Sequence, residues 1–205
     1  MTQRGSMNVT LLLNAYSQGI FPMADDDGSI YWYDPDPRAI IPLDNFHIPR
    51  SLARKIRKGG FEVRFDTAFT QVMQACAEPV PDRTDRDKTW ISAEFIQIYS
   101  QLHHLGFAHS VETWIGGNLA GGLYGVSLAG FFAGESMFSW VTDSSKIALV
   151  YLVERLRQGQ FTLLDIQFMT PHLKRFGAIE IPQREYKARL NHALRFWTRS
   201  IRFEA

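Results

Sequence analysis

Between residues 108 and 140 apolar positions alternate with polar ones in three runs, broken at Gly116-Gly117-Asn118 and at Ala129-Gly130. That period predicts an antiparallel meander. The rhythm then changes. Ile147, Val150, Leu152, Val153 and Leu156 recur at helical spacing over 145–157, with Thr142-Asp143-Ser144 as the cap and Gly159 as the stop. Phe161 to Met169 reads as a strand, and Thr170-Pro171 opens a short helix with proline at its first position. Gly177 closes it, and a last helix spans about 183–197. Upstream, Leu11–Tyr16 is a short helix ending at Gly19. Tyr31-Trp32-Tyr33 is a strand entering the rigid turn Asp34-Pro35-Asp36-Pro37, because residues before proline are pushed extended. Ser51–Lys58 is a basic helix with Ser51 as N-cap and Gly59-Gly60 as its end. Phe61–Phe65 alternates as a strand, Asp66 is placed to cap a helix to Ala77, and 78–89 is a charged, proline-bearing loop. Ser92 caps a helix running to Gly106.

This pattern gives an α/β (α+β) class. Meander, helix, strand, helix is the order of the acetyltransferase-like fold. The proline-punctuated stretch 1–60 contrasts in rhythm with 61–205. A chain of 205 residues, 45 % hydrophobic and 13 % aromatic, has ample material for a packed core, which excludes disordered and fibrous classes. No apolar run approaches the ~20 residues of a membrane helix. One cysteine, Cys76, excludes a disulfide framework. The first residues lack a secretory pattern, so a cytoplasmic location without membrane association is expected.

The formal net charge is +1, from 22 Lys/Arg and 21 Asp/Glu, which on its own speaks against a nucleic-acid binder. The charges are nevertheless segregated. Asp25, Asp26, Asp27, Asp34 and Asp36 form an acidic stretch, and Arg50, Arg54, Lys55, Arg57 and Lys58 crowd into nine positions. From 89 to 145 there are four acids and no Lys or Arg; from 184 to 202 six bases face Glu185 alone. Such blocks suit a polyanion at one place and a cation at another. Solvated helix faces are the plainer reading of any single block.

Common catalytic constellations are absent. Gly134-Glu135-Ser136-Met137-Phe138 lacks the closing glycine of a nucleophile elbow. The scattered histidines lack metal-ligand spacing, so no metal and no cofactor are expected. Ser139 to Ser145, before the central helix, holds no glycine for a CoA pyrophosphate. What remains are acids in apolar strands: Asp165, two positions from Gln167 and so on the same face, and Glu135. A buried carboxylate is costly unless partnered, which makes these functional candidates. Anchoring of strand ends through backbone hydrogen bonds is the structural alternative.

Several strings together carry a family resemblance. Gly19-Ile-Phe-Pro-Met23, Trp32-Tyr-Asp-Pro-Asp-Pro-Arg38, His47-Ile-Pro-Arg-Ser51, Thr89-Trp-Ile91, Ala108-His-Ser-Val-Glu112, Gly121-Gly-Leu-Tyr-Gly-Val126, Gly134-Glu-Ser-Met-Phe-Ser139 and Asp165-x-Gln167 occur in that order. In this the chain resembles the leucyl/phenylalanyl-tRNA–protein transferases over residues 11–194. The resemblance implies transfer of leucine or phenylalanine, less readily methionine, from aminoacyl-tRNA to proteins that begin with Arg or Lys, which marks them for N-end-rule degradation. It also implies a small N-terminal domain, 1–60, joined to an acetyltransferase-like catalytic domain, 61–205, and that Asp165 and Gln167 activate the incoming α-amine with Glu135 as partner. Leu123, Phe132, Leu149, Leu152 and Leu164 would form the donor side-chain pocket. Trp90 would stack on the terminal adenosine, aided by Met23 where relatives often carry an aromatic. Arg50, Arg54, Arg57 and Lys58 would meet the tRNA stem. Trp140 stands where a basic residue can occur.

The residue chemistry accords with such a transfer. An aminoacyl ester is already activated, so proximity and removal of a proton from the attacking ammonium suffice. Asp165 is either the base or an electrostatic anchor, with the leaving ribose oxygen relaying the proton. Two rival functions are a CoA-dependent N-acyltransferase and a non-catalytic tRNA-binding module.

Overall fold

The computed structural model describes residues 7–25, 29–78 and 90–195. Its elements are α1 (Val9–Ser17), β1 (Phe21–Ala24), β2 (Ile30–Tyr33), β3 (Arg38–Ile41), α2 (Arg50–Lys58), β4 (Glu62–Phe65), α3 (Phe69–Ala77) and α4 (Ala93–His104). They continue with β5 (Ala108–Ile115), β6 (Asn118–Leu128), β7 (Phe131–Ser139), α5 (Ser144–Gln158), β8 (Leu163–Gln167), α6 (Pro171–Lys174), β9 (Ile179–Ile181) and α7 (Gln183–Arg195). The class is mixed α/β, a small N-terminal region followed by a sheet-rich remainder.

β1 and β2 form a two-stranded antiparallel sheet, and the other strands build a seven-stranded sheet in the order β4-β5-β6-β7-β8-β3-β9. The expected meander is β5-β6-β7. Helix α5 is the crossover that brings β8 parallel to β7, since two parallel neighbours cannot be joined by a tight turn. Residues 38–60 lie in the stretch read from the sequence as the N-terminal unit. In the fold, β3 is hydrogen-bonded within the large sheet to β8 and β9, and α2 packs on α5.

Strand alternation sorts side chains to two cores. Leu123, Phe132 and Leu164 meet Ile147, Leu149 and Leu152 of α5 on one face. Tyr124, Phe131 and Leu163 meet α1, α3, α4 and α7 on the other, through Tyr16, Phe69, Tyr99 and Tyr186. Ser92 and Thr170 cap α4 and α6 as expected. Three expected caps differ. α2 begins at Arg50 behind Pro49, with no side-chain cap from Ser51. Asp66 adopts φ 59 ahead of α3 and accepts instead from the Ser110 amide at 2.8 Å, tying β4 to β5. Asp143 precedes α5 but turns its carboxylate to Lys146 and Lys55 rather than to helix amides. The tail of the last expected helix beyond Arg195, and most of the charged loop at 79–89, lie outside the described residues.

Candidate active site

The site grows from a split in the sheet. β7 and β8 pair in parallel only from Phe131↔Leu163 to Ala133↔Asp165, then separate. Just past that point β7 carries an extra residue: Tyr124 pairs with Ser136 and Gly125 with Gly134, leaving Glu135 unpaired as a bulge. Bulges re-aim a side chain and raise local twist. Gly125 permits this one, because a Cβ there would lie 2.3 Å from the Ala133 carbonyl and 2.4 Å from the Phe132 ring. On the other bank β8 ends at Gln167, which has φ 59 and sits inside a tight turn closed by the Phe168 amide on the Ile166 carbonyl at 2.7 Å. Such a conformation is uncommon for a non-glycine residue and marks a constrained position. The split is bridged by the Gln167 amide, whose Nε2 donates to Glu135 Oε1 at 3.2 Å.

Asp165 holds that arrangement from beneath. Its side chain is fully buried and accepts from Arg38 Nε at 2.9 Å, Arg38 Nη2 at 2.6 Å, Tyr186 Oη at 2.9 Å and the Gln167 backbone N–H at 2.9 Å. Arg38, itself buried, also donates to the Gly19 carbonyl and lies between the rings of Phe21 and Tyr186, 4.7 and 4.5 Å from their centroids. The ion pair raises the Arg38 pKa against an opposing burial effect. Burial and the neighbouring Asp165 charge push the Tyr186 phenol far up, so it stays a donor.

Glu135 has the opposite character. It is half-buried beside Tyr16 of α1 and Tyr99 of α4, whose hydroxyls bond each other. Burial pushes its carboxyl up to about 8. The Asp165 charge adds to this, while the two tyrosines and Arg38 oppose it. The site therefore holds two unlike carboxyls, Asp165 paired with Arg38 and Glu135 with its proton affinity raised by burial.

Beside the split opens a cavity of about 990 Å³ with walls drawn from both faces of the sheet. Leu123, Leu149, Leu152 and Leu164 form part of its apolar wall, Gln167 and Glu135 its polar edge, and Met23 and Trp90 also line it. Phe132 does not reach it; its ring is buried beneath β7 against Gly125. Asp165 lies behind the wall, behind Gln167. Arg50, Arg54, Arg57 and Lys58 stand apart from the cavity on the exposed side of α2, which turns Leu52 inward. The first turn of α5 also borders the cavity, where Ser139 Oγ accepts from the Ser145 amide at 3.0 Å. Among the described residues no group of three or more His, Cys, Asp or Glu side chains is placed to hold a metal. No helix there is long and apolar enough to cross a membrane.

Comparison with known proteins bears on what this site belongs to. Residues 40–191 match the family described as leucyl/phenylalanyl-tRNA protein transferase, and residues 5–36 match the N-terminal domain of the same family. The chain belongs to this family. A relative from Herpetosiphon aurantiacus named leucyl/phenylalanyl-tRNA--protein transferase is 64 % identical over 195 residues, covering 95 % of this chain and 97 % of that one. Relatives of the same name from Phenylobacterium zucineum and Salinibacter ruber are 58 % and 52 % identical, covering 89 % and 90 % of this chain and 82 % and 79 % of theirs. Among solved structures, that of L-PGS from Bacillus licheniformis aligns with TM-score 0.44 at 12 % identity, over 80 % of this chain and 54 % of that one. Family membership makes the chain a transferase.

In the sequence Arg38 is visible only as part of a motif, and its pairing with Asp165 is not. A buried guanidinium leaves no local signature when its carboxylate lies 127 positions away. Tyr16, Tyr99 and Tyr186 were missed for the same reason. Phe21 and Phe168 also line the cavity, and their rings meet edge-on at 5.7 Å.

Proposed function

We propose that this transferase moves leucine or phenylalanine, and less readily methionine, from aminoacyl-tRNA to the α-amine of proteins beginning with Arg or Lys, marking them for N-end-rule degradation. The observation that carries the reading is the Gln167–Glu135 bridge across the β7–β8 split, set at the edge of a cavity with a leucine-lined wall. A branched or aromatic donor side chain fits Leu123, Leu149, Leu152 and Leu164, where discrimination by size rests on ~1–3 kcal/mol per methylene. The terminal adenosine lies toward Trp90 and Met23. The stem phosphates lie along Arg50, Arg54, Arg57 and Lys58. The cationic acceptor enters at Glu135, and its charge favours the ionised carboxylate there.

In the reaction the α-amine attacks the ester carbonyl, the C–N bond forms, and the ester C–O bond breaks. The acceptor's ammonium first gives one proton to solvent, the second proton lost by the nitrogen ends on the leaving ribose oxygen, and because the ester is already activated no ATP and no covalent enzyme intermediate is required. Asp165 serves this step as an anchor. Four donors already occupy its oxygens, which leaves no open lone pair aimed at the substrate. It fixes Gln167, whose amide nitrogen is taken by Glu135 and whose oxygen remains to accept from the incoming amine. The acetyltransferase-like order of elements fits a CoA-dependent acyltransferase less well, because Ser139 occupies the first-turn amide of α5 that a pyrophosphate would need.

The test is direct. Purified protein, incubated with leucyl-, phenylalanyl- or methionyl-tRNA and a peptide beginning with Arg, is expected to yield a peptide one residue longer at its N-terminus. A peptide beginning with Ala is expected to stay unchanged. No extension with any of the three donors overturns the reading.

A further inference from the structure

Trp140 is 55 % exposed and its neighbour Val141 is 42 % exposed, among the largest apolar surfaces on the described residues. They are not a mobile tip. The Trp140 and Val141 amides both donate to the Ala120 carbonyl, at 2.9 and 3.0 Å. The indole packs edge-on against Phe138, with centroids 4.8 Å apart and planes at 64°. Phe138 and Ser139, the two residues before it, line the cavity. The tryptophan is thus anchored directly after two cavity-lining residues, over half open to solvent.

The basic helix is fastened to the same loop. Lys55 of α2 donates to the Thr142 carbonyl and pairs with Asp143 at 3.4 Å. This leaves Arg50, Arg54, Arg57 and Lys58 exposed on the side of α2 opposite Leu52, at helical spacing. Among the described residues none of these four is paired with a carboxylate. An exposed, fixed indole at the head of a loop fastened to a helix that carries a row of unpaired cations is the chemistry that binds unpaired nucleotides, which stack on aromatic faces while cations track their phosphates. A protein partner would have little use for four like charges beside a single aromatic.

We infer that Trp140 is a stacking platform for an unpaired nucleotide of the donor RNA just upstream of its terminal adenosine. It would lie on the path from the phosphate-binding face of α2 to the ester in the cavity. The inference rests on the aminoacyl-tRNA reading and adds a subsite to it. Because the ring contributes stacking rather than charge, its removal acts on donor binding and leaves the chemistry intact.

The experiment compares leucyl-tRNA with leucyl-adenosine, which lacks the upstream nucleotides, in wild type, Trp140→Ala and Trp140→Phe. Trp140→Ala is expected to raise KM for leucyl-tRNA about 5- to 150-fold, the range of a lost ~1–3 kcal/mol stack. Its kcat, its KM for leucyl-adenosine and its slope of log affinity against log salt should stay as in wild type. Trp140→Phe should restore most of the loss. An unchanged KM for leucyl-tRNA in Trp140→Ala overturns the inference and leaves the tryptophan for another partner. Equal losses with both donors also overturn it, by showing a structural role. Absence of transfer from either donor in wild type overturns the functional reading instead.

Discussion

Replacing Arg38 with methionine removes two of the four donors on a fully buried carboxylate. The Tyr186 hydroxyl and the Gln167 amide remain, both neutral. Breaking a buried pair from one side costs about 3–5 kcal/mol, since the orphaned charge stays desolvated. The Gly19 carbonyl also loses its donor, and the packing of Phe21 and Tyr186 about the guanidinium loosens. Against a typical stability of ~5–15 kcal/mol the variant should fold, with Tm lowered by about 6–20 °C on the scale of ~2–4 °C per kcal/mol for a chain this size. The double variant Arg38→Met/Asp165→Leu replaces the pair by apolar volume and should regain most of that Tm, because apolar substitutes for buried ion pairs are often neutral or better. It should not regain transfer, because nothing then fixes Gln167. Thermal melts and transfer rates on the same samples separate the two effects. A Tm for Arg38→Met within a degree or two of wild type would refute the energetic reasoning, and full transfer by the double variant would refute the positioning role.

Glu135 gives a pH test. Its folded carboxyl is pushed up to about 8 from an ordinary 4.5, so the folded chain holds the proton more tightly than the unfolded one. The stability this gives is present below about pH 4.5 and lost as pH rises toward about 8, a fall of order 4 kcal/mol that urea titrations should find in wild type and not in Glu135→Gln. Leu149→Ala should cost about 2–5 kcal/mol and enlarge the donor pocket, shifting the kcat/KM ratio toward phenylalanyl-tRNA over leucyl-tRNA; an unshifted ratio places the donor side chain elsewhere. Arg54→Glu with Arg57→Glu should weaken leucyl-tRNA binding and lower its salt slope by about one per lost phosphate contact, with leucyl-adenosine turnover unchanged.

Elements whose signals are local were legible in the sequence. The meander showed in its alternation and its Gly116-Gly117 turn, and α6 in Thr170-Pro171. Asp165 and Gln167 stood out as polar residues sharing one face of an apolar strand. Features set by distant partners were hidden. Arg38 looks like an ordinary turn residue until β3 is laid beside β8, and only then does its guanidinium meet Asp165. Asp66 has the sequence of a helix cap, yet the β5 amide it faces across the sheet competes successfully for its carboxylate. The bulge at Glu135 was partly foreshadowed by Gly134 beside a carboxylate in an apolar strand. The Tyr16–Tyr99 hydroxyl pair beside that carboxyl joins residues 83 positions apart. Phe132 was expected in the pocket from the family resemblance and instead lies under it, packed against Gly125.

The central claim, that the cavity beside the β7–β8 split holds the aminoacyl ester, is tested most directly by a crystal structure with a stable amide analogue of leucyl-adenosine. The leucyl side chain is expected against Leu123, Leu149, Leu152 and Leu164, the adenine at Trp90 and Met23, and the carbonyl carbon beside the Gln167 amide. A ligand bound with its carbonyl away from Gln167, or seated outside the cavity, would contradict the account.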